Sequence, residues 1–355
     1  MLTTSKQTLK YDRQVALWLL SVAVLIFCMV LLGGVTRLTH SGLSMVEWKP
    51  IVGTLPPIGE QAWQDTFEKY KAFPEYQKTN LGMNLSEFKS IFWFEYSHRV
   101  LGRAIGLAFL IPFLIFWFQG KLHRRQIPTY ISMFILGGLQ GVLGWYMVKS
   151  GLVNDPNVSQ YRLTAHLLAA ISIYIFILWV AFSLLHKPAA HGVATQISSL
   201  RKHGFFVTGL ILLMIISGGF VAGTKAGFVF NTFPLMDGQW LPPGGMALNP
   251  WWLNLLENLA TIQFTHRVIA IVVTIAVLSF VIRGWRTKML DPATRSAFNL
   301  LFVMLLIQIG LGISTLLFVV PVKLAAAHQA GALLLLTSAW IINHRLRKSA
   351  TSDYL

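Results

Sequence analysis

The sequence has very little cysteine and few charged residues. Cys28 is the only cysteine among 355 residues, which excludes a disulfide framework and an all-cysteine metal site. Charged residues make up 12% of the chain, against about 25% in a typical soluble domain. With 55% hydrophobic residues and a mean hydropathy of +0.60, the composition predicts an integral membrane protein. The net charge of +16 by itself would also suit nucleic acid or anionic lipid.

Apolar runs of about 20 residues, the length of a membrane-spanning helix, occur eight times. The predicted spans are 14–34, 91–118, 129–148, 163–185, 205–224, 261–282, 297–320 and 324–343. No small-residue cleavage site follows the first run, so we expect it to be retained as a span and not removed as a signal peptide. The sequence therefore predicts an all-α, multi-pass protein of the lipid bilayer.

Lys and Arg are concentrated in alternate connections. Sixteen lie in the N-terminal arm, in the 2–3, 4–5 and 6–7 connections and in the tail. Outside the long first loop, the opposite side has only Lys149, Arg162, Lys225 and Lys323. The positive-inside rule then places both termini in the cytoplasm. Membrane orientation accounts for the basic charge, and we expect no nucleic-acid partner.

The chain contains an internal repeat. An offset of 168 residues joins three pairs: His98 and His266, Gln140 and Gln308, Gly144 and Gly312. Each half has four spans, so the halves have the same orientation. We predict two pseudo-symmetric four-helix bundles in parallel repeat, with domains at residues 1–200 and 201–355. We expect the two glutamines to form hydrogen bonds between helices.

Four histidines lie in the first turns of the even-numbered spans: His98, His166, His266 and His328. Those spans all begin on the non-cytoplasmic side, so each bundle has two imidazoles at similar depth on facing helices. Two imidazoles without cysteine or a carboxylate cluster suit bis-histidine haem iron, because zinc and di-iron sites need more ligands. Hydrogen-bonded packing is the alternative for any one of them. The other six, expected to be solvated, are His40, His123, His186, His191, His203 and His344.

Charged and polar side chains adjoin the first histidine of each pair. Glu95, His98 and Arg99 lie within five residues, and ionisable groups at the start of a span suggest a functional site. Glu95 shares a helix face with His98 and can relay protons beside a reacting centre, or simply pair with Arg99. The second half keeps Arg267 but has Gln263 instead of the acid. The arginines suit haem propionates or extend to the interface.

Two long loops lie on the outer side. In residues 53–90, aromatic residues at roughly helical spacing predict an amphipathic helix that covers the first site as a lid on the membrane surface. They are Trp63, Phe67, Tyr70 and Phe73. Residues 228–252, rich in Pro, Gly and Trp, predict an ordered non-helical cap over the second site. Interfacial anchoring by the aromatic residues is an alternative for both.

Six segments, spread over nearly the whole chain, occur together in one known family. They are 33–57, 92–103, 144–152, 231–240, 263–267 and 328–333. On these segments the chain resembles the haem A synthases, membrane enzymes that convert haem O to haem A for cytochrome oxidases. The resemblance implies an eight-span fold of two four-helix halves. It also implies oxidation of the C8 methyl of haem O to a formyl group by successive hydroxylations.

The resemblance also implies roles for individual residues. His98 and His166 would flank the substrate haem, and Glu95 would be the catalytic acidic residue. His266 and His328 would bind a haem b cofactor. Some family members carry a cysteine pair in an outer loop, so this chain resembles the cysteine-free class of proteobacteria and mitochondria.

Location and partners follow as expectations. The short N-terminus lacks an Arg- and Ser-rich transit peptide, which favours a bacterial inner membrane. Haem O synthase and cytochrome oxidase assembly are the expected partners, and no motif identifies the electron donor.

Two other classes of protein fit part of the pattern. A two-haem b-type cytochrome that only carries electrons would use the same histidines, but it gives no reason for the difference between Glu95 and Gln263. A transporter would explain the parallel repeat, but the sequence has neither an interrupted span nor an unpaired acid in mid-membrane. The acid and the family motifs favour the enzyme.

Overall fold

The computed structural model describes residues 2–47, 55–151, 158–186 and 195–347. Its α-helices in chain order are α1 (Leu2–Leu38), α2 (Glu60–Lys71), α3 (Pro74–Lys78), α4 (Leu85–Phe118), α5 (Ile127–Gly151), α6 (Gln160–Leu185), α7 (Thr195–Thr224), α8 (Asn254–Glu257), α9 (Leu259–Arg286), α10 (Pro292–Leu317) and α11 (Val322–Arg345). These ranges contain no strand beyond one isolated bridge between Met236 and Gln239. His191 and parts of the segments 33–57 and 144–152 lie outside the described residues.

Eight helices of the described chain are long and apolar enough to cross a membrane. This confirms the all-α, multi-pass class and the predicted number of spans. The seventh span was predicted to reach residue 320, but α10 ends at Leu317. Val319 and Val320 have φ angles of 61° and 56°, a left-handed conformation that ends the helix. Such φ values are rare for β-branched residues, so the sequence did not predict a turn at these two valines.

Helix α4 begins before the predicted span because its N-terminus is capped outside the apolar run. The Asn84 side chain accepts a hydrogen bond from the backbone N–H of Glu87, whose carboxylate accepts one from the N–H of Asn84. This reciprocal capping box satisfies two N–H groups that have no partner within the helix. The first turns of α4 therefore extend beyond the apolar segment.

The predicted amphipathic helix of the first outer loop is α2, and its apolar face packs against the extension of α4. The buried aromatic cluster consists of Trp63, Phe67, Tyr70, Phe88 and Phe92. The rings of Phe67 and Phe88 stack with centroids 5.0 Å apart. The helix prediction is confirmed for Trp63, Phe67 and Tyr70, whose rings pack against α4, but Phe73 lies beyond the end of α2. A covering of the first site stays a prediction.

By compactness the chain divides into two units, Met1–Ile177 and Leu178–Leu355, with the boundary inside α6. In the N-terminal unit the indole of Trp18 donates to the carbonyl of Ala108 at 2.9 Å and joins α1 to α4. In the C-terminal unit Asn343 donates to the hydroxyl of Thr208 at 2.7 Å and joins α11 to α7. The repeat symmetry and the assignment of roles to 1–200 and 201–355 stay predictions.

Asp291 caps the N-terminus of α10 on the connection from α9. Its carboxylate accepts hydrogen bonds from the backbone N–H groups of Ala293 and Thr294 and pairs with Arg345 at 2.8 Å. Burial opposes ionisation, but the hydrogen bonds from Thr294 and Arg345 outweigh it and lower the pKa of Asp291 to about 2. The folded state therefore favours the ionised carboxylate.

We expect Asp291→Ala to destabilise the protein by about 1–2 kcal/mol at neutral pH, the usual cost of losing an N-cap. Because the pKa is lower in the folded than in the unfolded state, this stabilisation is complete above the ordinary pKa of 3.8 and is lost as pH falls toward 2. Thermal unfolding in detergent at pH 7 and pH 2.5 tests both points. An equal difference between variant and parent at the two pH values would contradict the assignment.

Candidate functional site

The four predicted histidines lie on four different helices, His98 on α4, His166 on α6, His266 on α9 and His328 on α11. All four are partly buried. His98 and His166 lie close enough to interact electrostatically within the N-terminal unit, and His266 and His328 do so within the C-terminal unit. Each unit thus brings one histidine pair together.

Each imidazole faces a glycine of a neighbouring helix. The pairs are Gly33 with His98, Gly144 with His166, Gly218 with His266 and Gly312 with His328. A Cβ at Gly144 or Gly312 would lie 2.9 Å from the Cε1 of the histidine it faces. The corresponding closest approach is 3.2 Å at Gly33 and 3.4 Å at Gly218. The rings have this space because the opposing residue has no side chain.

Polar side chains next to these glycines contact the histidines. The hydroxyl of Ser217 lies 3.1 Å from Nδ1 of His266. The amide of Gln140 donates to the backbone carbonyl of His166 at 2.9 Å. Gln308 Nε2 lies 3.1 Å from both the backbone oxygen and Nδ1 of His328. The predicted interhelical hydrogen bonds of the two glutamines are confirmed.

Glu95 is buried, with 3% of its surface exposed, and connects α4 to the segment after α1. Its Oε2 accepts hydrogen bonds from the hydroxyl of Ser44 at 2.8 Å and the backbone N–H of Met45 at 2.7 Å. Its Oε1 pairs with Arg99 at 2.5 Å. Arg99 also donates to the backbone oxygens of Met45 and Glu47. Glu95 and Arg99 therefore hold the segment that contains Ser44 and Met45 against α4, near His98.

Gln263 and Arg267 make the corresponding contacts in the C-terminal unit. Gln263 is 3% exposed and donates to the carbonyls of Ala226 and Phe230 at 3.0 and 3.1 Å. Its Oε1 accepts from Arg267 at 3.2 Å. Arg267 also donates to backbone oxygens of the loop after α7, including that of Pro234. This loop is ordered and largely non-helical, as predicted.

The difference between acid and amide matches the groups that each loop presents. Glu95 faces an N–H and a hydroxyl, which need an acceptor. Gln263 faces two carbonyl oxygens, which need a donor. The asymmetry that suggested proton transfer therefore also has a structural cause.

We expect Gln263→Glu to destabilise the protein by about 1–3 kcal/mol. The carboxylate would keep Arg267 as a partner, but it would face the carbonyls of Ala226 and Phe230 without a donor between them. Gln239→Glu is the matched control, since Gln239 is exposed and in the same unit. Surface changes of this kind usually alter stability by less than about 0.5 kcal/mol. Thermal unfolding in detergent compares the two. Equal, small effects would contradict the described contacts of Gln263.

Among the remaining histidines the prediction of solvation is wrong for His344. It is 2% exposed, packs edge-on against Trp179 with ring centroids 5.1 Å apart, and contacts the hydroxyl of Ser183 at 3.1 Å. The side chains of His40, His123 and His186 are exposed. A helix end predicted to face the cytoplasm is therefore in part packed by aromatic residues.

The sequence reasoning did not identify the glycines as neighbours of the histidines, nor Ser44 and Met45 as partners of Glu95. The sequence did give one signal for the glycines, because Gly144 recurs as Gly312 at the 168-residue offset that also relates His98 to His266. Ser44 and Met45 are about 50 residues from Glu95 in the chain, and no local pattern predicts a contact at that separation.

The eight apolar helices of the described residues define a multi-pass membrane protein, and in each unit two histidines face glycines of neighbouring helices. In the described residues no group of three or more His, Cys, Asp or Glu side chains is placed to bind a metal ion. Residues 16–340 match the family model COX15-CtaA, described as cytochrome oxidase assembly protein. The chain belongs to this family.

Relatives from bacteria and a plant agree with the family. The chain is 51% identical to heme A synthase of Nitrosospira multiformis over 342 residues, 96% of each chain. It is 50% identical to heme A synthase of Nitrosomonas eutropha over 329 residues, 92% of each chain. Heme A synthase COX15 of Arabidopsis thaliana is 43% identical over 352 residues, covering 96% of this chain and 76% of the plant protein.

Proposed function

We propose that this chain is a haem A synthase, a membrane oxidoreductase that oxidises the C8 methyl of haem O to a formyl group by successive hydroxylations. Its family and the names of relatives that match it over more than nine tenths of its length support this activity. The observation that carries the site is the pair of imidazoles in each unit, every ring facing a glycine.

The donor set in each unit fits haem iron. Two imidazoles on different helices would hold a haem iron between them. Nδ1 of His266 contacts a hydroxyl, so Nε2 remains for the metal. Nδ1 of His166 is buried without a hydrogen-bond partner, as expected for a ring whose orientation is completed on binding.

In the N-terminal half we assign His98 and His166 to the substrate haem and Glu95 to proton transfer beside it. Glu95 lies on the same helix as His98 and fastens the neighbouring segment through Ser44 and Met45. A buried carboxylate next to a reacting group can accept protons released by hydroxylation. Arg99 pairs with this carboxylate at 2.5 Å and holds it in place beside His98.

In the C-terminal half we assign His266 and His328 to a haem b cofactor, which when bound supplies electron transfer. Gln263 has no acid–base function, which suits a haem that is not chemically altered. Arg99 and Arg267 lie one residue after the first histidine of each pair and are assigned to the propionates of the two haems. Their guanidinium groups also order the outer segments through backbone carbonyls.

The protein is multi-pass, and we place it in a bacterial inner membrane with both termini in the cytoplasm. The excess of Lys and Arg on one side supports this orientation. Both histidine pairs then lie toward the outer leaflet. Haem O synthase would supply the substrate, and the product would enter cytochrome oxidase assembly.

Co-expression with a haem O source in a host without haem A tests the activity directly. Haem extracted from the purified protein and the membranes should include haem A. Haem B alone, in the presence of available haem O, would support the alternative of an electron-carrying b-type cytochrome. The acid at position 95, which a pure carrier would not need, favours the enzyme.

A further inference from the structure

Helices α5 and α10 each present a glutamine and a glycine to the second histidine of a pair. Gln140 and Gly144 face His166, and Gln308 and Gly312 face His328. The two residues are four apart, so they lie on one face of their helix. We call each set a Gln–Gly pair.

The glycine gives the ring its space, and a side chain at this position would overlap the ring. A Cβ at either position would lie 2.9 Å from Cε1, closer than carbon atoms pack. Other glycines on the same two helices differ, because a Cβ at Gly141 or Gly310 would meet no atom within 4 Å. The close approach is thus specific to the position opposite the histidine.

The glutamine side chain holds the histidine through its backbone carbonyl. Gln140 and Gln308 both donate to the backbone carbonyl of the histidine they face, at 2.9 and 3.1 Å. In an α-helix this carbonyl already accepts a bond from four residues later, so the contact adds a second bond across the helix interface. The glutamine therefore fixes the position of the histidine along the axis of the neighbouring helix.

Unpartnered atoms indicate a second contact. The Oε1 atoms of Gln140 and Gln308 are buried without a hydrogen-bond partner, and so is Nδ1 of His166. An imidazole that binds iron through Nε2 carries its hydrogen on Nδ1. Rotation of the amide would bring Oε1 to Nδ1 as the acceptor of that hydrogen. At Gln308 this replaces the present 3.1 Å contact between Nε2 and Nδ1 of His328.

We propose that the Gln–Gly pairs are positioning elements that direct Nε2 of His166 and His328 toward haem iron. The glycine allows the ring to occupy this position, and the glutamine would select the tautomer with hydrogen on Nδ1 by accepting that hydrogen. Neither residue touches the iron. The inference rests on the proposed haem sites and adds residues that determine how well the second ligand binds.

Substitution of the glycine in a Gln–Gly pair should weaken haem binding without destabilising the fold. Cε1 is at the far end of a side chain with two rotatable bonds, so a methyl group at Gly312 displaces the ring and not the helix. Loss of a residue that orients a metal ligand typically weakens metal binding about 10–100-fold. Gly312→Ala should therefore retain thermal stability close to that of the parent and bind haem B about 10–100-fold more weakly.

Gly310→Ala is the matched control, because it adds the same methyl group to the same helix in open space. It should keep the parental haem B affinity and the low-spin ferric signal in electron paramagnetic resonance. Gly312→Ala should lose that signal in part or whole. Gly144→Ala and Gly141→Ala repeat the comparison for haem O bound in the N-terminal unit.

The glutamine is tested by reduction potential. Gln308→Glu keeps an acceptor for Nδ1–H, makes the imidazole more basic and should lower the potential of haem B. Gln308→Leu removes the acceptor and should raise it. A purely structural role would not shift the potential in opposite directions.

Identical haem affinity and spectra in Gly312→Ala and Gly310→Ala, or equal potentials in the two Gln308 variants, would overturn the positioning role. A parent protein that binds no haem would instead overturn the proposed function. The two failures are therefore distinguishable.

Discussion

Haem A formation is expected to fall about 10²–10⁴-fold in Glu95→Gln while both haem sites remain occupied, since general acid–base catalysis contributes a factor of this size. The amide has the volume of the carboxylate but does not accept a proton. The measurement is haem A produced per purified chain in cells that supply haem O, with the bound haems quantified from the same preparation.

The contacts of Glu95 make a structural control necessary. Ser44→Ala removes one hydrogen bond to the Glu95 carboxylate and keeps the acid. We expect it to reduce haem A formation by less than about tenfold, with a loss of stability of about 1 kcal/mol. Equal losses in both variants would assign Glu95 to loop positioning alone. Normal haem A output from Glu95→Gln would remove the residue from the mechanism.

His266→Ala is expected to lose nearly all haem B from the C-terminal unit, because one of the two proposed iron ligands and its contact with Ser217 disappear together. Haem O bound in the N-terminal unit should remain, and haem A formation should stop because the cofactor is missing. Haem extraction from the purified variant, separated by haem type, measures both.

His186→Ala controls for the general removal of a histidine in the same unit, because the His186 side chain is exposed. Its haem content should equal that of the parent. Full retention of haem B in His266→Ala would contradict the assignment of the cofactor site.

Hydrophobic runs were sufficient to predict the eight spans, because a membrane helix needs a minimum apolar length. They did not predict where helices begin or end outside those runs. Helix α4 starts early because of the capping box at Asn84 and the aromatic cover of α2. Helix α10 stops early at the left-handed Val319 and Val320. Both ends depend on tertiary contacts or backbone conformations that hydropathy does not report.

Residue type and the position of each histidine in the first turns of an even-numbered span were sufficient to single out the four candidates and to expect them in pairs. The 168-residue offset relates only His98 to His266. The surroundings of the pairs could not be predicted in the same way. Gly33 and Gly218 are not separated by the 168 residues that separate the histidines they face, so the repeat does not relate them and only the fold reveals their position. The interpretation of Glu95 changed most. Its hydrogen bonds to Ser44 and Met45, which are distant in the chain, give it a structural function that the sequence did not predict.

The central claim is that two imidazoles of one unit bind the same haem iron. Electron paramagnetic resonance of the ferric purified protein tests it directly, since a low-spin bis-imidazole centre has a characteristic signal. We predict this signal for haem B in the parent, and its loss in both His266→Ala and His328→Ala. A haem B signal that survives either substitution unchanged would contradict the account.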